Sequence, residues 1–443
     1  MPSISLQKKV INGYKKAASF CLKLAVARWF LDIDNPAEDI IDRIVINRLN
    51  ELHRQRYIYR LSIRQPTATI PAFLTQMRLG DEESLAGNNN NSENSSGNNW
   101  FDNNDFKREY WMSQESFLTI HSAIKGHAVF QPKRFGRVPM DSKMQLLIFL
   151  RYIGLSGNGG SNQRMRHFFH CGAGMIQKAK NQVLEAILSL RPLAIKWPDN
   201  RERSKIEKRF RDSFQFPNLV FIADGTLFPL ASKPRLADAA DYSGRKLGYT
   251  INAIILCDDQ RRVRDYLAGN PGTCHDKRAF KQMPICRQPR DFLDETQYGI
   301  GDSAFTPQSY LIPAFKKPIN QQMPAEHEEF NTILSRPCVI IEHVNGMLKS
   351  RFKFLTLIPM VLKDRHSLQQ ILKHVDACII LHNMLINLKD DIPDSWYNEG
   401  DDVSEIDKQA ALEFDELNTA VPIDSENTTR REQLMVYFNW FGT

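Results

Sequence analysis

The sequence predicts an α/β protein: a mixed sheet flanked by helices, preceded by an all-helical region with a helix-turn-helix arrangement. Three observations predict it. Residues 111–190 carry apolar side chains at helical spacing, broken by short glycine turns. Beyond residue 216 the pattern changes to short, β-branched apolar runs bounded by turn residues. Helical periodicity then returns after Pro337.

Composition narrows the class. A chain of 443 residues exceeds one average domain, and 42% hydrophobic with 25% charged residues is the balance of a soluble globular protein. Seven cysteines are scattered without a CxxC pair, which argues against a disulfide framework and fits a reducing compartment. His170-Cys171 and Cys274-His275 are adjacent pairs that lack the spacing of zinc ligands. No run of about 18 uncharged apolar residues occurs, so no membrane span is expected. Residues 17–27 faintly resemble a signal peptide, but Lys23 interrupts the apolar run and an amphipathic helix fits better. The net charge of +7 is unevenly spread: residues 106–215 hold 20 Lys and Arg against 8 Asp and Glu, while 389–443 hold 4 against 14. A basic middle suggests a polyanionic partner, and the acidic tail a solvated or interaction segment. A charged surface without a ligand is the alternative on charge alone.

Taken in order, residues 1–86 form an N-terminal helical and basic segment. Its run 53–60 (His-Arg-Gln-Arg-Tyr-Ile-Tyr-Arg) suits either nucleic acid or an exposed helix face. Residues 87–105 are an asparagine-rich linker that cannot bury a core. Residues 106–199 make the helical region. A helix is expected over 142–153, where Met144, Leu147, Ile148 and Tyr152 keep register, and Gly157, Gly159 and Gly160 end it. Helices over 162–170 and 175–190 flank a turn at 171–174, with Met165, Phe168, Phe169, Ile176, Val183 and Ile187 as their shared seam. This is the helix-turn-helix arrangement, whose second helix would present Gln177, Lys178 and Asn181 to a major groove. A helical hairpin that binds nothing is the competing reading.

A charged connector, 200–211, leads to the second unit, 216–388. Strands are expected over 217–224, 249–257 and 262–267, the last two joined by a tight turn at Asp258-Asp259. A short helix follows at 275–282, and a buried strand at 298–301 delivers Asp302. Pro337 stands where a first helical turn would start, with a helix running to about residue 355 and another over 366–388. Residues 389–443 are the acidic C-terminal tail.

Chemistry concentrates on three carboxylates. Asp224 closes the apolar run 221–224, and a charge there is costly unless something, such as a metal ion, pairs with it. Asp302 also ends a strand. On the helix after Pro337, Ile341, Val344, Leu348 and Phe352 form an apolar stripe with Glu342 beside it, and Lys349 and Arg351 two turns on are placed to meet phosphates. Ligands bind beyond strand ends in such sheets. Three carboxylates converging there would supply oxygen ligands suited to Mg²⁺ or Mn²⁺. Two such ions would stabilise the attacking and leaving oxygens of an in-line phosphodiester displacement. Each residue taken singly has an ordinary alternative: a strand-end Asp caps a turn, and a helical Glu pairs with lysine.

Residues 224–355 also carry an ordered series of motifs. They are Asp224-Gly225-Thr226 with Phe228-Pro229, then Arg245-Lys246 before Tyr249, then Pro271-Gly272 with His275-Asp276, then Gly301-Asp302-Ser303. Phe330-Asn331, Arg336 and Glu342 with Gly346, Leu348-Lys349 and Arg351-Phe352 complete it. In order and spacing the series resembles the catalytic domain of PIF/Harbinger-type transposases and the nuclease-like proteins derived from them. Two positions depart from that pattern: Ala304-Phe305 replaces Gly-Tyr, and His343 stands where an arginine commonly follows the glutamate.

The resemblance implies an RNase H-like fold with Asp224, Asp302 and Glu342 as catalytic, metal-binding triad. It implies a divalent metal, Mg²⁺ or Mn²⁺, cleavage of DNA at the terminal inverted repeats of an element, and attack of the freed 3′ hydroxyl on target DNA. His275 and Asp276 are expected as supporting residues, and Arg245 and Lys246 as contacts to the phosphate backbone. A Myb/SANT-like accessory protein, at least a dimer to pair two element ends, and action in the nucleus are further implications. Competing functions are a catalytically idle DNA-binding or regulatory protein of the same descent, and a nuclease acting on RNA.

Overall fold

The computed structural model describes residues 103–131, 140–244, 248–318, 322–390 and 425–441. The expectations for segment 1–86, for the linker as far as residue 102, for Arg245-Lys246 and for tail residues 391–424 lie outside them. The described residues belong to one compact unit, and among them no helix is long and apolar enough to cross a membrane.

Helices α1 (Asn103–Tyr110), α2 (Gln114–Ile124), α3 (Ser142–Ile153), α4 (Asn162–Phe169) and α5 (Ala173–Leu188) open the unit. The helix expected at 142–153 is α3, started by the Asp141 side chain accepting from Lys143 N–H. The expected seam is buried at Met165, Phe169, Ile176, Val183 and Ile187, while Phe168 is half-buried beneath the Arg151 guanidinium, 3.5 Å from its ring centre. The 200–211 connector is part of a helix, α6 (Asn200–Phe214), amphipathic enough to bury Ile206 and Phe210.

The sheet comprises β1 (Leu219–Pro229), β2 (Gly248–Cys257), β3 (Val263–Pro271), β4 (Tyr298–Gly301), β5 (Leu311–Pro313) and the two-residue piece Ser243–Gly244. Its order is β3-β2-β1-β4-β5, with Ser243–Gly244 pairing beside the start of β2. Neighbours β3/β2 and β2/β1 are antiparallel, whereas β1/β4 and β4/β5 are parallel. The expected mixed α/β architecture is present, with strand β5 added to it. Strand β1 is buried along 219–223, as an apolar run against two neighbours requires.

Three boundaries differ from expectation. Strand β1 continues five residues past Asp224, because β2 pairs with it as far as Pro229. The β2–β3 connection is a five-residue loop, 258–262, not a two-residue turn. The Asp258 carboxylate organises it by accepting Gln260 and Arg262 N–H and pairing with Arg264. Finally, Pro337 lies inside α8 (Ala325–Arg351), which begins after Pro324. A proline there removes the hydrogen bond to the residue-333 carbonyl, and burial of the ring together with Leu334, Ile341 and Val344 offsets the loss.

Helix α9 (Arg365–Asn387), capped by the reciprocal Asp364–Ser367 box, joins the two layers. Its His374 packs against Phe149, Tyr152 and Phe354 and donates from Nδ1 to Gln370 O. The tail is not wholly solvated: α10 (Ser425–Phe441) buries Leu434 and Phe438, the latter 4.7 Å from the ring of Phe216. Its Arg430 donates to the backbone carbonyls of Glu295, Gln297 and Ser309.

Burial holds His374 and His382 neutral and pulls both down to about 4. Unfolded histidine titrates near 6.5, so between about pH 6.5 and 4 the unfolded chain binds more protons. Stability therefore drops as the pH falls through that window and levels off below it, by up to roughly 3 kcal/mol per histidine. Thermal melts followed by circular dichroism should show this fall, and His374→Phe, which keeps the ring contacts, should lose about half of it.

Candidate active site

The parallel ladder between β1 and β4 runs to its last pair, Ala223 and Gly301. Asp224 and Asp302 are the next residues on these neighbouring chains, which run about 4.8 Å apart. Asp224, one step along β1, lies on the face opposite the Ala223 side chain, and Asp302 directly follows the last residue of β4. Asp224 is half-buried and Asp302 exposed. Oδ1 of Asp302 accepts Ala304 N–H, which folds the chain sharply away from β4.

Glycines at this end allow close packing. A Cβ on Gly301 would crowd the Phe305 ring and the Ala223 carbonyl. Phe305, where the resembling family carries tyrosine, is buried edge-on against Phe280. The substitution therefore keeps an aromatic plug over Gly301 without a hydroxyl to satisfy.

Helix α8 brings the third carboxylate. Its stripe Ile341, Val344, Leu348 and Phe352 is buried as expected, which leaves Glu342 exposed at the stripe's edge. One turn further on, Asn345 donates from Nδ2 to Oδ2 of Asp224 at 2.9 Å. The long helix is thereby tied directly to β1 at the candidate carboxylate. Among the described residues, no three His, Cys, Asp or Glu side chains stand close enough to hold a metal ion. The set thus fits a hard cation by its chemistry, three carboxylates and an amide, without being drawn together around one point.

His275 and Asp276 occupy the other side of β1. The Asp276 carboxylate lies against Gly225, where a Cβ would collide with it, and Asn252 Nδ2–H holds its Oδ1 at 2.8 Å. Successive residues of a strand face opposite ways, so Asp276 backs the strand that carries Asp224 and does not share its face. Burial pushes the Asp276 carboxyl above the usual range, against the Asn252 hydrogen bond and the nearby His275. His275 precedes α7 (Asp276–Phe280) as its first flanking residue. The glycine of Asp224-Gly225-Thr226 is thus explained by Asp276, 51 residues later.

Of the expected phosphate contacts, Lys349 is half-buried, and Arg351 corrects the sequence reading. Arg351 is fully buried, with Nη2 donating to Asp390 O and 3.8 Å from Asp390 Oδ1. Asp390 also accepts the Ser113 N–H at the start of α2, so Arg351 locks α8 to the helical layer instead of meeting solvent. Asn331, quoted in the motif series without a role, clamps Phe315 by accepting its N–H and donating to its carbonyl.

In the helical region Gln177, Lys178 and Asn181 are exposed on α5. Gln177 and Asn181 belong to an amide chain in which Asn162 donates to Gln177 and Gln177 to Asn181. Lys180 donates to Asn162 and lies 4.0 Å from the Tyr152 ring centre, and burial pulls it down to about 8. Sequence periodicity gave no sign of Asn252 or Asn345, since single amides leave no repeating signal.

The collision at Gly225 makes a quantitative prediction. Gly225→Ala should destabilise the fold by about 1–3 kcal/mol, and Asp276→Ala in the same chain should recover part of that loss. A double-mutant cycle in urea reads the coupling, and additive effects would refute the contact.

Comparison with known proteins is consistent with this geometry. Residues 223–383 match the family model described as DDE superfamily endonuclease. HARBI1 of Bos taurus and of Homo sapiens, provisionally named nucleases, are each 22% identical over 289 residues, covering 64% of this chain and 79% of theirs. HARBI1 of Mus musculus is 22% identical over 292 residues, 65% of this chain and 80% of its own. No solved structure matches the chain. The segment 223–383, which holds Asp224, Asp302 and the Glu342 helix, is thus the part of the chain that is similar to the DDE superfamily endonucleases.

Proposed function

We propose that this chain is a divalent-metal-dependent DNA endonuclease of Harbinger transposase descent, with an RNase H-like catalytic domain. The observation that supports the reading is the parallel ladder whose last pair, Ala223 and Gly301, immediately precedes Asp224 and Asp302, with the Glu342 helix bonded to Asp224 through Asn345. Asp224, Asp302 and Glu342 are the residues that would hold Mg²⁺ or Mn²⁺. When bound, the metal supplies Lewis-acid polarisation of the scissile phosphodiester and neutralises its charge. The protein's own part is positioning. The β1–β4 ladder fixes two carboxylates, α8 supplies the third, and Asn345 restrains the Asp224 rotamer. Lys349 approaches the DNA backbone from the same helix, and Arg245 and Lys246 act likewise. On α5, Gln177, Lys178 and Asn181 form the DNA-reading face, with amides suited to adenine edges. Joining of cut ends to target DNA, a dimer, a Myb/SANT-like partner and nuclear action follow from the same descent.

Purified protein should nick supercoiled plasmid in Mg²⁺ or Mn²⁺, and Asp224→Ala, Asp302→Ala and Glu342→Ala should each lower the rate by roughly 10³-fold or more. Equal activity in all three variants would sink the assignment.

A second reading, a domesticated DNA-binding protein without cleavage, draws on a specific observation. Oδ2 of Asp224 is already engaged by an amide, and the three carboxylates are not gathered at one point. It predicts binding with a steep salt slope and no nicking in any divalent metal. In either case Lys178→Ala should reduce that slope by about one, measured by fluorescence anisotropy across a salt series.

A further inference from the structure

Residues 277–290 hold five cations, Lys277, Arg278, Lys281, Arg287 and Arg290, and no acid. A charged run is most often a solvated face with both signs mixed, as on α6, where Arg201, Lys205, Lys208 and Arg211 are interleaved with Glu202, Glu207 and Asp212. Here the counter-charge is missing: among the described residues none of the five cations stands in an ion pair. The backbone beneath them is fixed. Helix α7 and the turn Pro284–Arg287 send Phe280, Met283 and Ile285 into one core cluster with Phe221 and Leu311, and Pro284 and Pro289 each lock a φ. The charged side chains between those anchors are left to solvent, with Arg278, Lys281, Arg287 and Arg290 exposed and Lys277 half-buried. The segment also crosses the sheet at the candidate site. Asp276, at its start, lies against Gly225 of β1. Phe280 meets Phe305, 5.5 Å between ring centres, at the far end of the turn that begins at Asp302. Cys286 Sγ accepts the Tyr310 O–H at 3.0 Å, just ahead of β5.

Five like charges gathered on a rigid floor repel one another, and a partner dense in negative charge relieves that repulsion. Duplex DNA is such a partner, with a phosphate about every 3.4 Å along each strand. Position favours it over an acidic protein. A phosphodiester held at Asp224 and Asp302 belongs to a strand that continues on both sides, and the Asp302–Phe305 turn at that site rests on Phe280, flanked in sequence by Arg278 and Lys281.

We propose that residues 277–290 are a phosphate track, in which Arg278, Lys281, Arg287 and Arg290 hold the DNA backbone beside the candidate active site without reading its sequence. This rests on reading Asp224, Asp302 and Glu342 as a site that acts on DNA. The track gives that site its grip on the substrate, a task for which carboxylates are unsuited because they repel phosphates.

The test uses the full chain and a fluorescent duplex of about 30 base pairs of arbitrary sequence, titrated by anisotropy between about 50 and 200 mM salt. One variant carries Arg278→Gln, Lys281→Gln, Arg287→Gln and Arg290→Gln. A second removes the same charge from α6 through Arg201→Gln, Lys205→Gln, Lys208→Gln and Arg211→Gln. Each lost phosphate contact flattens log K against log salt by about 0.9, so the first variant should lose about 3 in slope and the second less than about 1. An unchanged slope in the first, or equal flattening in both, overturns the track and leaves the endonuclease reading to the nicking assay. A selective loss of slope in a chain that nicks nothing upholds the track while the endonuclease reading falls. No salt-dependent DNA binding by the parent overturns both together. Polyglutamate is the second probe, and a parent that binds it but not DNA assigns this face to an acidic protein and overturns the track. Should the first variant not fold, acetylation of Lys277 and Lys281 in the parent, read by mass spectrometry, takes its place. DNA should slow it relative to Lys205 and Lys208, and equal rates with and without DNA overturn the track.

Discussion

The parallel register between β1 and β4 is the constraint on which the rest of the structure depends. Side chains alternate along a strand, so a slip of one residue would part the pair Ala223 and Gly301 that precedes Asp224 and Asp302 and turn the β1 side chains to the other face of the sheet. The ladder is short, reaching only to Ala223 and Gly301. Its security comes from what surrounds it. The long antiparallel pairing with β2 holds β1 on one side, and on the other β5 continues the parallel run through Gly299, Ile300 and Gly301. Both strands are buried where they pair, so any slip would also drive apolar side chains into the wrong layer.

Around that ladder two amide–carboxylate contacts work from opposite faces. Asn345 meets Asp224 on the α8 side, and Asn252 meets Asp276 behind Gly225. Each pairs a neutral donor with a buried or half-buried acid, which stabilises the carboxylate without the desolvation burden of a second charge. Beyond the site, charge pairing does the fastening. Arg351 and Asp390 tie α8 to the helical layer, and Arg264 with Asp258 and Glu202 ties the hairpin to α6.

Much of this was legible in the sequence, for reasons that differ by element. Strand β4 and helix α3 were found at their full lengths because one is a four-residue apolar run ending in Asp302 and the other repeats apolar positions at helical spacing. The carboxylates stood out as charges next to buried segments. What escaped depended on partners far along the chain. Asp224-Gly225-Thr226 reads as a turn, and only pairing with Ile254 and Ala253 makes it strand. Arg351 reads as a solvent-facing base until Asp390, on the far side of α9, is seen to receive it. Asn345 finds Asp224 across 121 residues, a distance at which no local pattern carries information. Pro337 misled because a proline at a helix start and a proline buried within one look alike until packing decides.

That proline also divides α8 into two mechanical parts. Toward its start, Phe330 and Asn331 fasten the helix to Phe315, next to β5. Toward its end, Glu342 and Asn345 approach β1. Between them one rung of the backbone ladder is missing, and a rod with a missing rung bends there at lower cost than elsewhere. Both halves are fastened, the first through Asn331 to Phe315 and the second through Asn345 to Asp224 and Arg351 to Asp390. In this molecule the weakened rung lies between two anchored ends, and the third carboxylate is carried by the end that is tied to β1.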